Sequence, residues 1–183
     1  MTMSRQTARA VVLTVVLTVP GVTPRVDAAS AAAGIRWSVP TGWTELPARP
    51  MRVATYRAVP AKSPDPVECA VFYFGEGRGG GVDENIQRWA DQFERSPAPK
   101  RSTRTVRGLR VHLADISGTY LSPGGPMMQS QGKKPGWRLL GAVVQGPEGL
   151  LFFKMTGPAA GIAAAERQFA ALIESVTLAA TRA

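Results

Sequence analysis

The sequence predicts an α+β fold: a mostly antiparallel β-sheet sandwiched between helices. Three observations carry the prediction. Apolar and polar residues alternate through several short runs, as in strands. Some of these runs are joined by turns too tight for a crossover, as at Arg107-Gly108 and Gly146-Pro147-Glu148, so neighbouring strands run antiparallel. Two other segments space their apolar residues for a helix and carry a single apolar stripe each, enough to cover one sheet face.

Taken from the N-terminus, the chain opens with a segment that reads as an export signal rather than as structure. Arg5 and Arg9 precede the apolar run Ala10–Val19, and Pro20 and Gly21 break it. Val26 and Ala28 place small residues at a cleavage site, with a second possible cut after Ala31. A membrane span needs about 20 apolar residues, more than this run supplies, so no stable span is expected after cleavage. The domain plan is a signal peptide over 1–28, a flexible small-residue lead over 29–34, one α+β domain over 35–179 and a tail over 180–183. The expected location is periplasmic or secreted. Loss of residues 1–28 takes three Arg and one Asp from 22 basic and 13 acidic residues, leaving a net charge of +7. That charge draws the protein to acidic partners or anionic surfaces; in an exported setting nucleic acid is not an expected partner. Cys69 is the single cysteine. It excludes an intrachain disulfide and a cysteine-based zinc cluster.

Within the domain, Ile35–Val39 and Met51–Val59 read as strands, with Trp37 and Trp43 covering the edge of a core. Pro60–Pro66 holds three prolines and is a loop. Glu68–Phe74 is apolar on both alternating faces after Glu68, which predicts a central strand covered on both sides. Cys69 lies in it as a small buried hydrophobe, with nothing nearby to stabilise a thiolate.

Next comes GEGRGGG, then Val82, Ile86, Trp89, Ala90 and Phe93 on one helical face. A glycine loop before a helix suggests a phosphate cradle. Asp83 and Glu84 already occupy the first turn, and no Lys-Ser or Lys-Thr follows, so the loop is expected to serve only as a tight connection.

Lys100–Arg110 is the most basic run, with Lys100, Arg101, Arg104, Arg107 and Arg110 and no acid before Asp115. Strands are predicted over Thr103–Val106 and Leu109–Tyr120. Arg110 and His112 then share a face opposite Leu109, Val111 and Leu113. His112 is the only histidine, a candidate base or ligand, and it lies beside Arg110. Ser122–Gly136 is a long Gly- and Pro-rich loop in which Met127 and Met128 offer an adaptable apolar contact beside Lys133 and Lys134. Trp137–Gln145 and Gly149–Thr156 form a hairpin. Lys154 interrupts its second strand and is expected near a strand end or reaching to water. Ile162, Ala165, Phe169, Leu172, Ile173 and Val176 mark the C-terminal helix.

Several of these pieces also carry a resemblance. VPTGW (Val39–Trp43), the Gly-rich loop with VDENIQRWADQF (Val82–Phe93), GTY (Gly118–Tyr120) and LLFFKMTGP (Leu150–Pro158) resemble a group of uncharacterised exported bacterial proteins, which in turn resemble the PsbP-like fold. The resemblance implies an antiparallel sheet between helices and an accessory or binding role rather than catalysis. The metal-associated residues of the photosynthetic members have no counterpart here.

The functional expectation is therefore an exported, non-enzymatic binding module without a cofactor or metal. Its partner is an acidic protein or an anionic envelope component. The contact residues are Arg101, Arg104, Arg110, Met127, Met128, Lys133 and Lys134. The alternative is an exported hydrolase, which would rely on paired carboxylates or on His112 because no G-x-S-x-G elbow is present.

Overall fold

A computed structural model describes residues 30–60, 66–121 and 132–180. The signal segment 1–28, the loop residues Met127 and Met128, and the last three residues lie outside the described residues.

Twelve elements follow one another: β1 (Ser30–Ala32), β2 (Ile35–Trp37), β3 (Thr44–Glu45), β4 (Ala54–Ala58), β5 (Val67–Tyr73), α1 (Val82–Ala90), β6 (Lys100–Val106), β7 (Leu109–Leu121), β8 (Lys133–Gly146), β9 (Gly149–Pro158), α2 (Ala159–Glu174) and β10 (Thr177–Leu178). Seven strands form one sheet in the order β3-β4-β5-β9-β8-β7-β6, and β1, β2 and β10 form a small second sheet. Every pairing is antiparallel. The fold is thus the α+β sandwich that the alternating runs predict.

Strand alternation splits the large sheet's side chains between two cores. On one face Cys69, Val71, Ala142, Val144, Phe153 and Met155 meet Ile162, Phe169, Leu172 and Ile173 of α2. On the other, Ile116, Leu139, Val143 and Phe152 meet Ile86, Trp89 and Phe93 from α1 and its C-terminal extension. Full burial of an Ile, Leu or Phe contributes about 1.5–3 kcal/mol, so these two stripes dominate helix docking. The expected aromatic cover is also present. Trp37 Nε1 donates to Tyr56 Oη at 3.1 Å and its ring meets Phe153 edge-on at 5.3 Å. Trp43 Nε1 ties the turn before β3 to Gln168 of α2 at 3.1 Å.

Three local expectations change. The lead expected to be flexible over 29–34 instead contributes β1, which pairs with β2 through Ser30↔Trp37, and Ala33 is buried. Its small side chains admit it beside the core, and the β2 backbone supplies its order. A cut after Ala31 would divide this strand. The first strand of the basic hairpin begins at Lys100 rather than Thr103. Lys154 stands in the middle of β9, opposite Ala70 and Gly141, not near an end.

Candidate functional site

The basic hairpin is set by its turn. Arg107 (φ 46°) and Gly108 (φ 84°) both adopt left-handed conformations, as a two-residue hairpin loop requires, and Val106↔Leu109 closes it. This register fixes which side chain faces where. Lys100, Ser102 and Arg104 project on the α2 side, with core residues Val106, Val111 and Leu113; Arg101, Thr103 and Thr105 project on the α1 side. The cations therefore divide between two faces of one strand. Arg101 Nη1 pairs with Asp83 at 2.9 Å, and Arg104 Nη1 with Glu174 at 2.6 Å. Both acids are largely exposed, so each pair is a weak surface contact. The Lys100 side chain has no hydrogen-bonding or charged partner among the described residues.

The remaining expected contact residues are spread along the sheet. Arg110 pairs in register with Thr105 and Gln145 at the hairpin end. Lys133 pairs with Leu121 at the opposite end of β7, roughly 35 Å away by strand rise. There Lys133 Nζ meets Glu94 Oε1 at 2.5 Å, and Lys134 Nζ sits 4.5 Å over the Trp137 ring. Arg101 and Arg104 share β6, while Lys133 and Lys134 form a separate location. Met127 and Met128 fall outside the described residues.

Beside β6 the molecule has a groove of about 420 Å³ between α2 and the sheet. Its floor is apolar, from Leu113, Leu140, Phe169 and Ile173, and Lys100 and Arg104 form its outer lip. The groove exists because α2 lies over β5, β8 and β9 and stops short of the edge strand. Two ion-pair struts bridge sheet and helix around it. One is Arg104–Glu174. The other is Arg138, which donates from Nε and Nη2 to Asp115 at 2.8 and 2.9 Å and from Nη1 to Glu166 at 2.9 Å. The hydrogen bonds to Asp115 raise the Arg138 pKa, against the smaller opposing effect of burial, so its charge is permanent. Arg104 Nε is buried and has no hydrogen-bond partner among the described residues. No single residue in this run announces the groove; it arises from where α2 ends its coverage.

A second polar group lies on the α1 face. Lys154 Nζ and Tyr120 Oη both donate to Gln92 Oε1, and the ammonium lies 5.8 Å from the Tyr120 ring centre. Glu68 accepts from Arg52 at 2.6 Å and from Arg49 at 3.2 Å. Lys154 keeps some solvent access, yet dense surroundings push its pKa down to about 8, with Arg52 adding to the shift and Glu68 opposing it. Burial, then the Glu68 charge, raises the Tyr120 hydroxyl to about 12. In sequence this assembly is invisible, because its members come from five separate segments.

The alternative catalytic groups are placed as follows. His112 Nδ1 lies 3.1 Å from Thr103 Oγ1; among the described residues its buried Nε2 has no partner and no carboxylate hydrogen-bonds to the ring. Asp115 and Glu166 both converge on Arg138. Burial pushes the Cys69 thiol well above its usual range. Among the described residues there is no group of three His, Cys, Asp or Glu able to hold a metal. At the glycine loop, Glu84 Oε2 accepts from Gly81 N at 3.1 Å, so the start of α1 is met by the helix's own carboxylate. Asn85 Nδ2 and Arg88 Nη1 donate to Gly79 O at 2.8 and 3.1 Å, fixing the loop as a connection.

Among the described residues, no helix is long and apolar enough to cross a membrane. No family model matches the chain, and no curated protein matches it. Among solved structures it is similar to the solution structure of cyanobacterial PsbP (CyanoP) from Synechocystis sp. PCC 6803. The two share a TM-score of 0.50 and 15% identity over 80% of this chain and 87% of that one. At that identity the likeness concerns the fold alone. With one helix on each face of an antiparallel sheet, the chain has the PsbP-like fold.

Proposed function

We propose that the chain is an exported accessory module that binds an acidic protein partner at the β6 edge of its sheet. The observation that carries this reading is the charge of β6. Lys100, Arg101 and Arg104 occupy one edge strand with no acid in it, the Lys100 side chain is unpaired among the described residues, and the other two hold exposed acids that a partner can displace. The distribution favours a protein over a lipid surface. A planar membrane meets one face of a strand, whereas a polypeptide lying along the edge meets cations on both faces. The apolar groove behind Lys100 and Arg104 adds a place for a partner's nonpolar side chain. The export signal read in residues 1–28 and the resemblance to exported bacterial proteins support the location.

Competition titration tests the reading. Poly-glutamate should bind in a salt-sensitive manner and should not be displaced by vesicles of anionic phospholipid. Tight vesicle binding with no affinity for poly-glutamate would replace the protein partner by an envelope lipid.

A further inference from the structure

The partner's mode of attachment follows from the backbone of β6. In the two-residue hairpin, Val106 and Leu109 form the hydrogen-bonded closing pair. Antiparallel ladders alternate hydrogen-bonded and non-hydrogen-bonded pairs. The N–H and C=O groups of Ser102 and Arg104 therefore point inward to β7, opposite Leu113 and Val111. Those of Arg101, Thr103 and Thr105 point outward. Among the described residues β6 ends the sheet, with β7 as its only neighbour, and its first four residues are exposed. The outward groups make no backbone hydrogen bond to another described segment. This is a free template for one more strand.

We infer that an extended acidic segment of the partner pairs with the Arg101–Thr105 edge as an eighth strand of the large sheet. This rests on the acidic-partner reading above and specifies it. Main-chain hydrogen bonds supply affinity in such strand addition, and the side chains alongside supply selectivity. On the α1 side the added strand runs beside Arg101, and on the α2 side beside Lys100 and Arg104, so acidic residues are matched on both faces. The same cations disfavour a second copy of this chain as the occupant, because each copy would bring three positive charges to the junction.

The experiment uses the full chain and a synthetic peptide of alternating Glu and Thr, with an analogue in which the Thr residues are replaced by Pro as control. Amide hydrogen exchange should slow at Arg101, Thr103 and Thr105 on adding the peptide and stay unchanged at Ser102 and Arg104. The proline analogue, unable to present a continuous edge, should give no slowing. Thr103→Pro removes an outward N–H without touching the β7 ladder and should weaken peptide binding by about tenfold. Should that variant fail to fold, the exchange pattern of the unaltered chain decides the matter alone. Unchanged exchange at Arg101, Thr103 and Thr105 with bound peptide overturns strand addition. If Lys100→Gln/Arg104→Gln still weakens binding in that case, the acidic-partner reading stands without it. If those changes also have no effect, both fall.

Discussion

The ring of Trp89, on α1, lies directly on the backbone of Gly141 in the middle of β8. A Cβ on Gly141 would overlap Cζ3 and Cε3 of the indole. This contact sets how closely the shorter helix approaches the sheet. It joins two residues far apart in sequence, in a core that also holds Phe93, Leu139 and Phe152.

Gly141→Ala should therefore destabilise the fold by about 1–3 kcal/mol through overpacking. The glycine has ordinary backbone geometry, so the effect is steric rather than conformational. Urea unfolding of the variant measures the loss, and Trp89→Phe in the Gly141→Ala background should recover part of it by relieving the overlap. Equal stability of Gly141→Ala and the parent chain would contradict the packing described.

Lys154 gives a pH-dependent prediction. Its folded pKa is depressed to about 8 from an ordinary 10.5. Below pH 8 it is charged in both states, and the folded state bears the full desolvation cost. Between 8 and 10.5 the unfolded chain holds more of the proton, so stability rises with pH through that window. Lys154→Met removes the cost, so its stability advantage over the parent should be largest below pH 8 and should shrink by roughly 3 kcal/mol as pH passes 10.5. A pH-independent difference between the two unfolding curves would show that the ammonium is not desolvated.

Arg138 links β7, β8 and α2 through Asp115 and Glu166. Arg138→Ala should cost about 2 kcal/mol, because charge-assisted hydrogen bonds are lost from a half-buried site and Asp115 is left without its partner. A double-mutant cycle with Asp115→Asn should give a favourable coupling energy. Additive effects of the two changes would mean that the pair contributes nothing.

Most of the fold is legible from the residues because its elements bury one face each. The stripes from Ile86 to Phe93 and from Ile162 to Val176 identify both helices, and Arg107-Gly108 and Pro147-Glu148 identify the hairpins. What escapes has no such signature. Ser30–Ala32 carries no pattern of its own and is ordered by β2. In β6 the stretch Lys100–Ser102 has no buried side chain to mark it as a strand, yet it proves to be the edge. Lys154 reads as an interruption of an apolar strand because Gln92 and Tyr120, which receive it, come from distant segments. The basic character of the candidate site is visible in the sequence. Its division between two faces, its separation from Lys133 and Lys134, and the adjoining groove follow only from register and from the reach of α2.

The most direct test of the proposed role is the dissociation constant for poly-glutamate of the parent chain and of Lys100→Gln/Arg101→Gln/Arg104→Gln, each confirmed folded by thermal unfolding. Binding by the variant should be about tenfold weaker at low salt, with the difference vanishing at high salt. Equal affinity of the two proteins at low salt would contradict it.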